Sequence, residues 1–382
     1  MIARYGDDVT AVNPSKVYIA FGTNDTNYGL YATGSSASDE QKNAAVATYK
    51  ANLVTLVERL MADGITDITL MTPPTYDSRE GYLTASNGVS TAADTRPGYS
   101  EALAKAAQAV KEVASEYGLD VVDNNYITSA VMEDVSDAEE ELLKYDRLHP
   151  DRAGHFVMAA NIIKTIYTDD ALVASVEIDA DGKTIAAENA SATGLDIAED
   201  GTVTYTYKAK SLPMGVDNAG YKKVTERYDL FKDFTDEMNR EIVKVTGLSA
   251  GNYDVSFDGV VIGTYTSDEL SDGINIAANS LNPGQISAKA IIDGYMAIYE
   301  KQSQVRVVEL CIAAMKRKGV YDGMTFDDMC DWVADNYAVY AGYFDTAYPI
   351  YANNKADIAS YERQAIAMAQ PQTHTVAITK AQ

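Results

Sequence analysis

Val17–Phe21 is an apolar run that ends in Gly22-Thr23-Asn24-Asp25, and it constrains the fold more than any other stretch. A half-buried strand alternates apolar and polar residues. A run without alternation suits a strand covered on both faces, as in a parallel sheet flanked by helices. The residues that follow fit that reading. Gln41–Asp63 places Ala45, Tyr49, Leu53, Leu56, Val57 and Leu60 at helical spacing and stops at Gly64. Asp67–Met71 is a second strand, closed by Pro73-Pro74. Tyr99–Tyr117 is a second helix, stopped by Gly118. Leu119–Asp123 is a third strand and Ala153–Tyr167 a closing helix. Strands alternating with helices imply right-handed crossovers and a parallel sheet. The polar loop at about 75–97 is too long for a bare connector, which makes it a candidate rim for a site.

Near residue 172 the pattern changes. Val173–Ile178, Thr184–Ala187, Val203–Tyr207, Ile242–Thr246, Tyr253–Phe257 and Val260–Thr264 are short β-type runs, punctuated by Asp-Gly pairs at 181–182, 200–201 and 258–259. Asp258-Gly259 between two alternating runs predicts a hairpin, because this pair tolerates the positive φ of a type I′ turn. From about 284 the spacing is helical again, through Ile286–Lys318, Thr325–Ala341 and Lys355–Ala369. The expected organisation is an α/β domain over 1–170, a small β lobe over 171–283 and a helical segment over 284–382.

Composition excludes some functions. Acidic residues outnumber basic ones by 56 to 31, for a net charge of −25. Such a surface repels phosphate backbones, so no nucleic-acid partner is expected. No apolar run approaches the ~20 residues of a membrane span. The two cysteines, Cys311 and Cys330, have no metal spacing and lie in apolar helical patterns, as buried free thiols do.

Chemistry centres on few residues. Of three histidines, His149 follows Asp146 by three positions in Asp146-Arg-Leu-His149-Pro150, where a turn lets the carboxylate reach the imidazole. Imidazole suits general base work, and a partner carboxylate fixes its tautomer. Pro150 is well placed to open the following helix. Asn24 sits just beyond the carboxyl end of a strand, where α/β sheets gather functional groups, and its amide can donate to an oxyanion. Each residue also has a plainer reading, Asp146 as a cap and Asn24-Asp25 as turn formers.

In order and context the two motifs, with Asp7-Asp8-Val-Thr-Ala-Val-Asn-Pro14 before them, resemble the third and fifth sequence blocks of the SGNH (GDSL-type) ester hydrolases. The resemblance covers residues 1 to about 168. It implies a flavodoxin-like, three-layer parallel sheet and ester hydrolysis, with His149 as base, Asp146 as its orienting acid and Asn24 as oxyanion donor. Gly22, Thr23 and Asp25 would line the substrate. The family's nucleophilic serine lies in a Gly-Asp-Ser turn at its first strand, and no Gly-Asp-Ser occurs in the 382 residues. The expectation is an N-terminally truncated chain whose first strands, nucleophile and oxyanion glycine lie upstream of Met1. It would be inactive alone and prone to self-associate through the exposed Val17–Phe21 edge.

The resemblance implies no metal and no organic cofactor. The implied substrate is a carbohydrate ester or another small acyl ester. Residues 234–241 and 245–263 are similar to the β lobe of some bacterial SGNH hydrolases. Alternatives are a non-catalytic module that binds glycan or protein, and an acyltransferase. The compartment is open, with export to the periplasm or medium compatible with such a protein. His155 reads as a helix-start packing residue and His374 as part of a solvated tail. Arg240, between Asn239 and Glu241, reads as an ordinary surface turn.

Overall fold

The computed structural model describes residues 2, 5–79, 96–134, 142–143, 146–166 and 172–381, without the side chains of Asp7 and Asp8. Most of the loop expected as a site rim, residues 80–95, lies outside the described residues. The chain divides into two compact units, Met1–Ala171 with Asp217–Met238, and Leu172–Val216 with Asn239–Gln382. The segment Asp217–Met238 therefore belongs with the first unit, although the β-type runs on either side had placed it in the β lobe.

Unit 1 contains β1 (Lys16–Ala20), α1 (Asp39–Ala62), β2 (Asp67–Met71), α2 (Tyr99–Tyr117), β3 (Asp120–Val122), α3 (Asn124–Asp134) and α4 (Arg152–Ile166), joined by the short α5 (Lys223–Arg227) and α6 (Phe234–Met238). The strands form a parallel sheet in the order β1-β2-β3, with Val17 opposite Ile68 and Leu70 opposite Val121. Ser38 starts α1 through a capping box: its hydroxyl accepts from the Gln41 N–H, and its own N–H donates to the Gln41 side chain. Gly118, at φ 66°, ends α2 in the left-handed conformation. Leu53, Val57 and Leu60 of α1 and Val110 and Val113 of α2 close over Ile19, Ile68 and Leu70. Full burial of a side chain such as Leu60 or Leu70 contributes on the order of 1.5–3 kcal/mol.

Helix α3 has no counterpart among the expected elements, which end the third strand at Asp123 and resume at Ala153. In the fold Asp123 is instead the start of the helix, its carboxylate accepting from the Tyr126 N–H at 3.1 Å and the Thr72 hydroxyl at 2.9 Å.

Unit 2 contains β4 (Leu172–Asp179), β5 (Thr184–Glu188), β6 (Ala190–Ile197), β7 (Val203–Ala209), β8 (Arg240–Thr246), β9 (Asn252–Phe257), β10 (Val260–Thr266), α7 (Ser267–Asp272), β11 (Ile274–Asn275), α8 (Pro283–Arg317), α9 (Phe326–Asn336), α10 (Ala341–Ala347), α11 (Tyr351–Met368) and β12 (His374–Lys380). Two sheets, β10-β9-β12-β7-β6 and β11-β8-β4-β5, share one core of Val176, Val203, Tyr205, Val245, Val255 and Val376. The β9–β10 hairpin turns at Asp258 (φ 49°) and Gly259 (φ 83°), as the Asp-Gly pair predicts. Helices α8 to α11 build a second core around Val308, Cys311, Met315 and Phe344.

The expected tail is not a tail. Strand β12 lies in the middle of the five-stranded sheet, paired with β9 and β7. Its Thr-Val-Ala-Ile-Thr alternation is a strand signal, hidden by the polar Gln370–Thr373 before it.

Candidate functional site

Strand β1 delivers its chain into a turn held from three sides. The Gly22 N–H donates to Asp25 Oδ2 at 3.1 Å, and the Thr26 hydroxyl donates to the Thr23 carbonyl at 2.9 Å. The buried Tyr99 hydroxyl donates to the same carbonyl at 2.5 Å. Gly22 sits at φ 120°, and a Cβ there would meet the Pro73 and Tyr49 rings at 3.1 Å, so glycine is required. Burial pushes the Tyr99 phenol up to about 12, so it stays a donor at neutral pH. Asn24 crowns this turn, exposed, with no hydrogen bond to its side chain among the described residues. Its amide is therefore available to a ligand. Gly22, Thr23 and Asp25 build the turn that presents it.

The Asp146–His149 segment is a second ordered loop. His149 Nδ1 and Asp146 Oδ2 lie 2.5 Å apart, while Asp146 Oδ1 accepts the N–H groups of Leu148 at 3.1 Å and His149 at 3.0 Å. Burial raises the Asp146 carboxyl, but the backbone and imidazole bonds of His149 and the Leu148 N–H outweigh it, and the net shift is downward. The imidazole is 69% exposed. Its Nδ1 is held by a carboxylate, which leaves Nε2 as the nitrogen able to exchange a proton with a ligand.

Arg147, which sequence reasoning passed over, anchors this loop. Its side chain is 1% exposed, and its guanidinium donates to the carbonyls of Asp77 and Arg79 at 3.0 Å each. The Arg147 carbonyl in turn accepts from the Asp77 N–H at 3.0 Å. Arg147 adopts φ 63°, a conformation that costs a non-glycine residue about 1–2 kcal/mol. An arginine there gives no sequence signal of a left-handed turn, as Gly or Asn would.

One aromatic cluster serves both loops. Tyr99, which bonds Thr23, packs in a single cluster with Tyr31, Tyr76 and Leu148, the residue before His149. The turn of Asn24 and the loop of His149 are thus built on the same support in unit 1. Beside the turn, Phe21, Asp25, Tyr49, Leu53, Leu56 and Arg59 line a groove of about 600 Å³.

The other polar candidates lie elsewhere. His155 is exposed on the first turn of α4, and the packing expected of it is done by Phe156 against Tyr221 and Phe234. His374 starts β12 with its side chain 17% exposed, bonded to Asp258. Asn239 and Glu241, read as flanks of a surface turn, are buried in unit 2. Cys311 is buried and Cys330 partly so, both free, and burial pushes both thiols up. No helix among the described residues is long and apolar enough to cross a membrane.

Residues 1–156 match the family model described as GDSL-like Lipase/Acylhydrolase family. The match covers less than half of the chain, and it makes this part similar to GDSL-like lipase/acylhydrolase domains. Over nearly its whole length the chain is similar to the structure of a gut microbial diltiazem-metabolizing enzyme, at 22% identity and a TM-score of 0.78, covering 99% of this chain and 86% of that one. This likeness bears on the fold. A catalytic mutant of an acetylxylan esterase from Geobacillus stearothermophilus matches at 25% identity and a TM-score of 0.32, covering 43% of this chain and 65% of that one. A lipase/acylhydrolase from Enterococcus faecalis matches at 24% identity and a TM-score of 0.30, covering 43% and 67%. No curated protein matches the sequence.

Proposed function

We propose that unit 1 carries the base and oxyanion side of an SGNH-type ester hydrolase acting on a carbohydrate ester or another small acyl ester. A serine hydroxyl attacks the ester carbonyl and His149 Nε2 takes its proton. Asp146 holds the imidazole through Nδ1 and stabilises the imidazolium. The Asn24 amide donates to the oxyanion, and His149 then returns the proton to the leaving alcohol. Gly22, Thr23 and Asp25 form the wall beside the acyl group. The observation that carries this reading is the 2.5 Å Asp146–His149 pair with an exposed imidazole, in a domain similar to those of this family.

The nucleophile is the group that no Gly-Asp-Ser of this sequence supplies. We place it on a separate segment that adds to the edge of β1, which pairs with β2 alone among the described strands and where Tyr18 and Phe21 are 39% and 37% exposed, beside the 600 Å³ groove. The 382-residue chain alone then shows no esterase turnover above background and associates through that edge. The test is hydrolysis of a short acyl ester by the chain alone and with a Gly-Asp-Ser strand segment added, fused or in trans. Turnover appears only on addition and disappears in His149→Ala. Turnover by the chain alone, abolished by mutating one of its own serines, would overturn the placement. The missing Gly-Asp-Ser also favours a second reading, a non-catalytic scaffold that binds glycan or protein. That reading stands if no added segment restores turnover.

A further inference from the structure

Unit 2 buries a carboxylate that no cation answers. Glu241, on β8, is 3% exposed. Its Oε1 accepts from the Tyr207 hydroxyl at 2.7 Å, and its Oε2 accepts from the Asn282 amide at 2.6 Å. The amide's orientation is fixed, since Asn282 Oδ1 accepts the Gly284 N–H at 2.9 Å. The Asn282 amide can only donate here, which suits an ionised carboxylate, whereas the Tyr207 hydroxyl serves either form, donating to the carboxylate or accepting from the acid. Burial nevertheless pushes the carboxyl up, against the pull of Tyr207, Asn282 and His374. No lysine or arginine pairs with Glu241 among the described residues.

The nearby imidazole does not close this gap. His374 Nδ1 lies 2.8 Å from Asp258 Oδ2, and this bond draws the Asp258 carboxyl below its usual range. A protonated His374 therefore offsets Asp258, and the group as a whole stays short of one positive charge. The N-terminus of α8, which Asn282 caps, adds only about half a charge.

Glu241, Tyr207, Asn282 and His374 all open on a cavity of about 50 Å³. A water needs about 10–15 Å³ by this measure, so the space admits about three or four waters or one small head group. Its walls include Leu212, Pro213, Phe257 and Pro371, with the hydroxyl-bearing Ser211 and Ser287. We propose that this cavity binds the ammonium group of a small organic amine, its N–H donors meeting Glu241 and the serine hydroxyls and its carbons resting on the proline and phenylalanine walls. A hard metal ion fits poorly. Such ions take about six or more oxygens, and no group of three His, Cys, Asp or Glu side chains that could hold a metal is gathered among the described residues. The inference is independent of the ester chemistry of unit 1.

The test is calorimetric titration of the full chain with ethylammonium chloride, against sodium chloride at equal ionic strength and calcium chloride. Ethylammonium should bind saturably at one site with a millimolar Kd, as its few heavy atoms dictate. Its affinity should fall as acid protonates Glu241, because the cation binds the carboxylate. Glu241→Gln should weaken binding at least tenfold. Ser287→Leu, which fills the cavity without touching the carboxylate, should do the same, and it decides the matter if Glu241→Gln fails to fold by circular dichroism. No saturable ethylammonium binding, preference for calcium, or unchanged affinity in folded variants would overturn the proposal.

Discussion

Asp146–His149 and Asp258–His374 are aspartate–histidine pairs of nearly the same geometry, one in each unit. Asp146 and His149 meet at 2.5 Å across a four-residue loop, and Asp258 and His374 meet at 2.8 Å across 116 positions. In both, a carboxylate takes the Nδ1 side of an imidazole and also accepts a backbone N–H. The surroundings separate them. His149 is 69% exposed, above a cluster that also supports the free amide of Asn24, whereas His374 is 17% exposed and fastens the start of a central strand to a hairpin turn. A hydrogen-bonded Asp–His pair is a local solution to orienting a ring. Chemistry depends on what the second nitrogen can reach.

The largest expected effect breaks that symmetry directly. In the chain complemented with a nucleophile segment, His149→Ala should lower kcat by about 10³-fold or more, while His374→Ala leaves ester hydrolysis unchanged. Equal losses in steady-state assays would erase the distinction between the pairs.

Next come the cores beneath the pairs. Leu70→Ala in β2 and Ile378→Ala in β12 remove fully buried side chains, and each should cost about 2–5 kcal/mol. The sole tryptophan, Trp332, lies in α9 of unit 2. Its emission in urea should report the Ile378→Ala loss and miss the Leu70→Ala loss. Equal shifts would mean the two units unfold as one.

Arg147→Met should destabilise unit 1 by about 1–3 kcal/mol, because the carbonyls of Asp77 and Arg79 lose their buried donor. It should also release the loop, so the Asp146 carboxyl, followed by carbon NMR, titrates closer to its ordinary value. An unmoved Asp146 midpoint in a folded variant would show that the loop holds itself.

The smallest effects lie in pH. Asp146 and Asp258 both titrate below the usual carboxylate range in the folded chain. Each therefore adds stability that is present above about pH 3.9 and lost as pH falls through the lowered value. One member of each pair is well exposed, His149 at 69% and Asp258 at 54%, so screening should keep each contribution below about 1 kcal/mol. Glu241 has the opposite sign: with its folded value raised, its contribution is lost as pH rises through that value. Unfolding midpoints of Asp146→Asn, Asp258→Asn and Glu241→Gln across pH check these signs, and a Glu241→Gln variant with no altered slope would remove the contrast.

Much of unit 1 was legible because its signals are local. An unbroken apolar run marks a parallel strand, so Val17–Phe21 and Asp67–Met71 declare themselves. The first, expected to be covered on both faces, leaves Tyr18, Ala20 and Phe21 exposed at the edge of the described sheet. Helix α2 carries its apolar stripe and its glycine stop within its own residues, and its observed bounds are those of the spacing. Asp146 and His149 are three positions apart, so their meeting follows from a single turn. The Asp258-Gly259 hairpin is equally local.

Long-range pairing settled the rest. Strand β12 looks like a tail until β7 and β9 offer it ladders on both sides, and His374 finds Asp258 only through that pairing. Glu241 reads as a surface charge until Tyr207 and Asn282, 34 and 41 positions away, enclose it. Arg147 reads as a solvated cation, yet carbonyls 70 and 68 positions back make its burial tolerable. A residue's own chemistry and its near neighbours determined which elements form and which histidine could be a base. Burial of polar groups depends on partners that chain folding brings from a distance, and those only the tertiary structure decided.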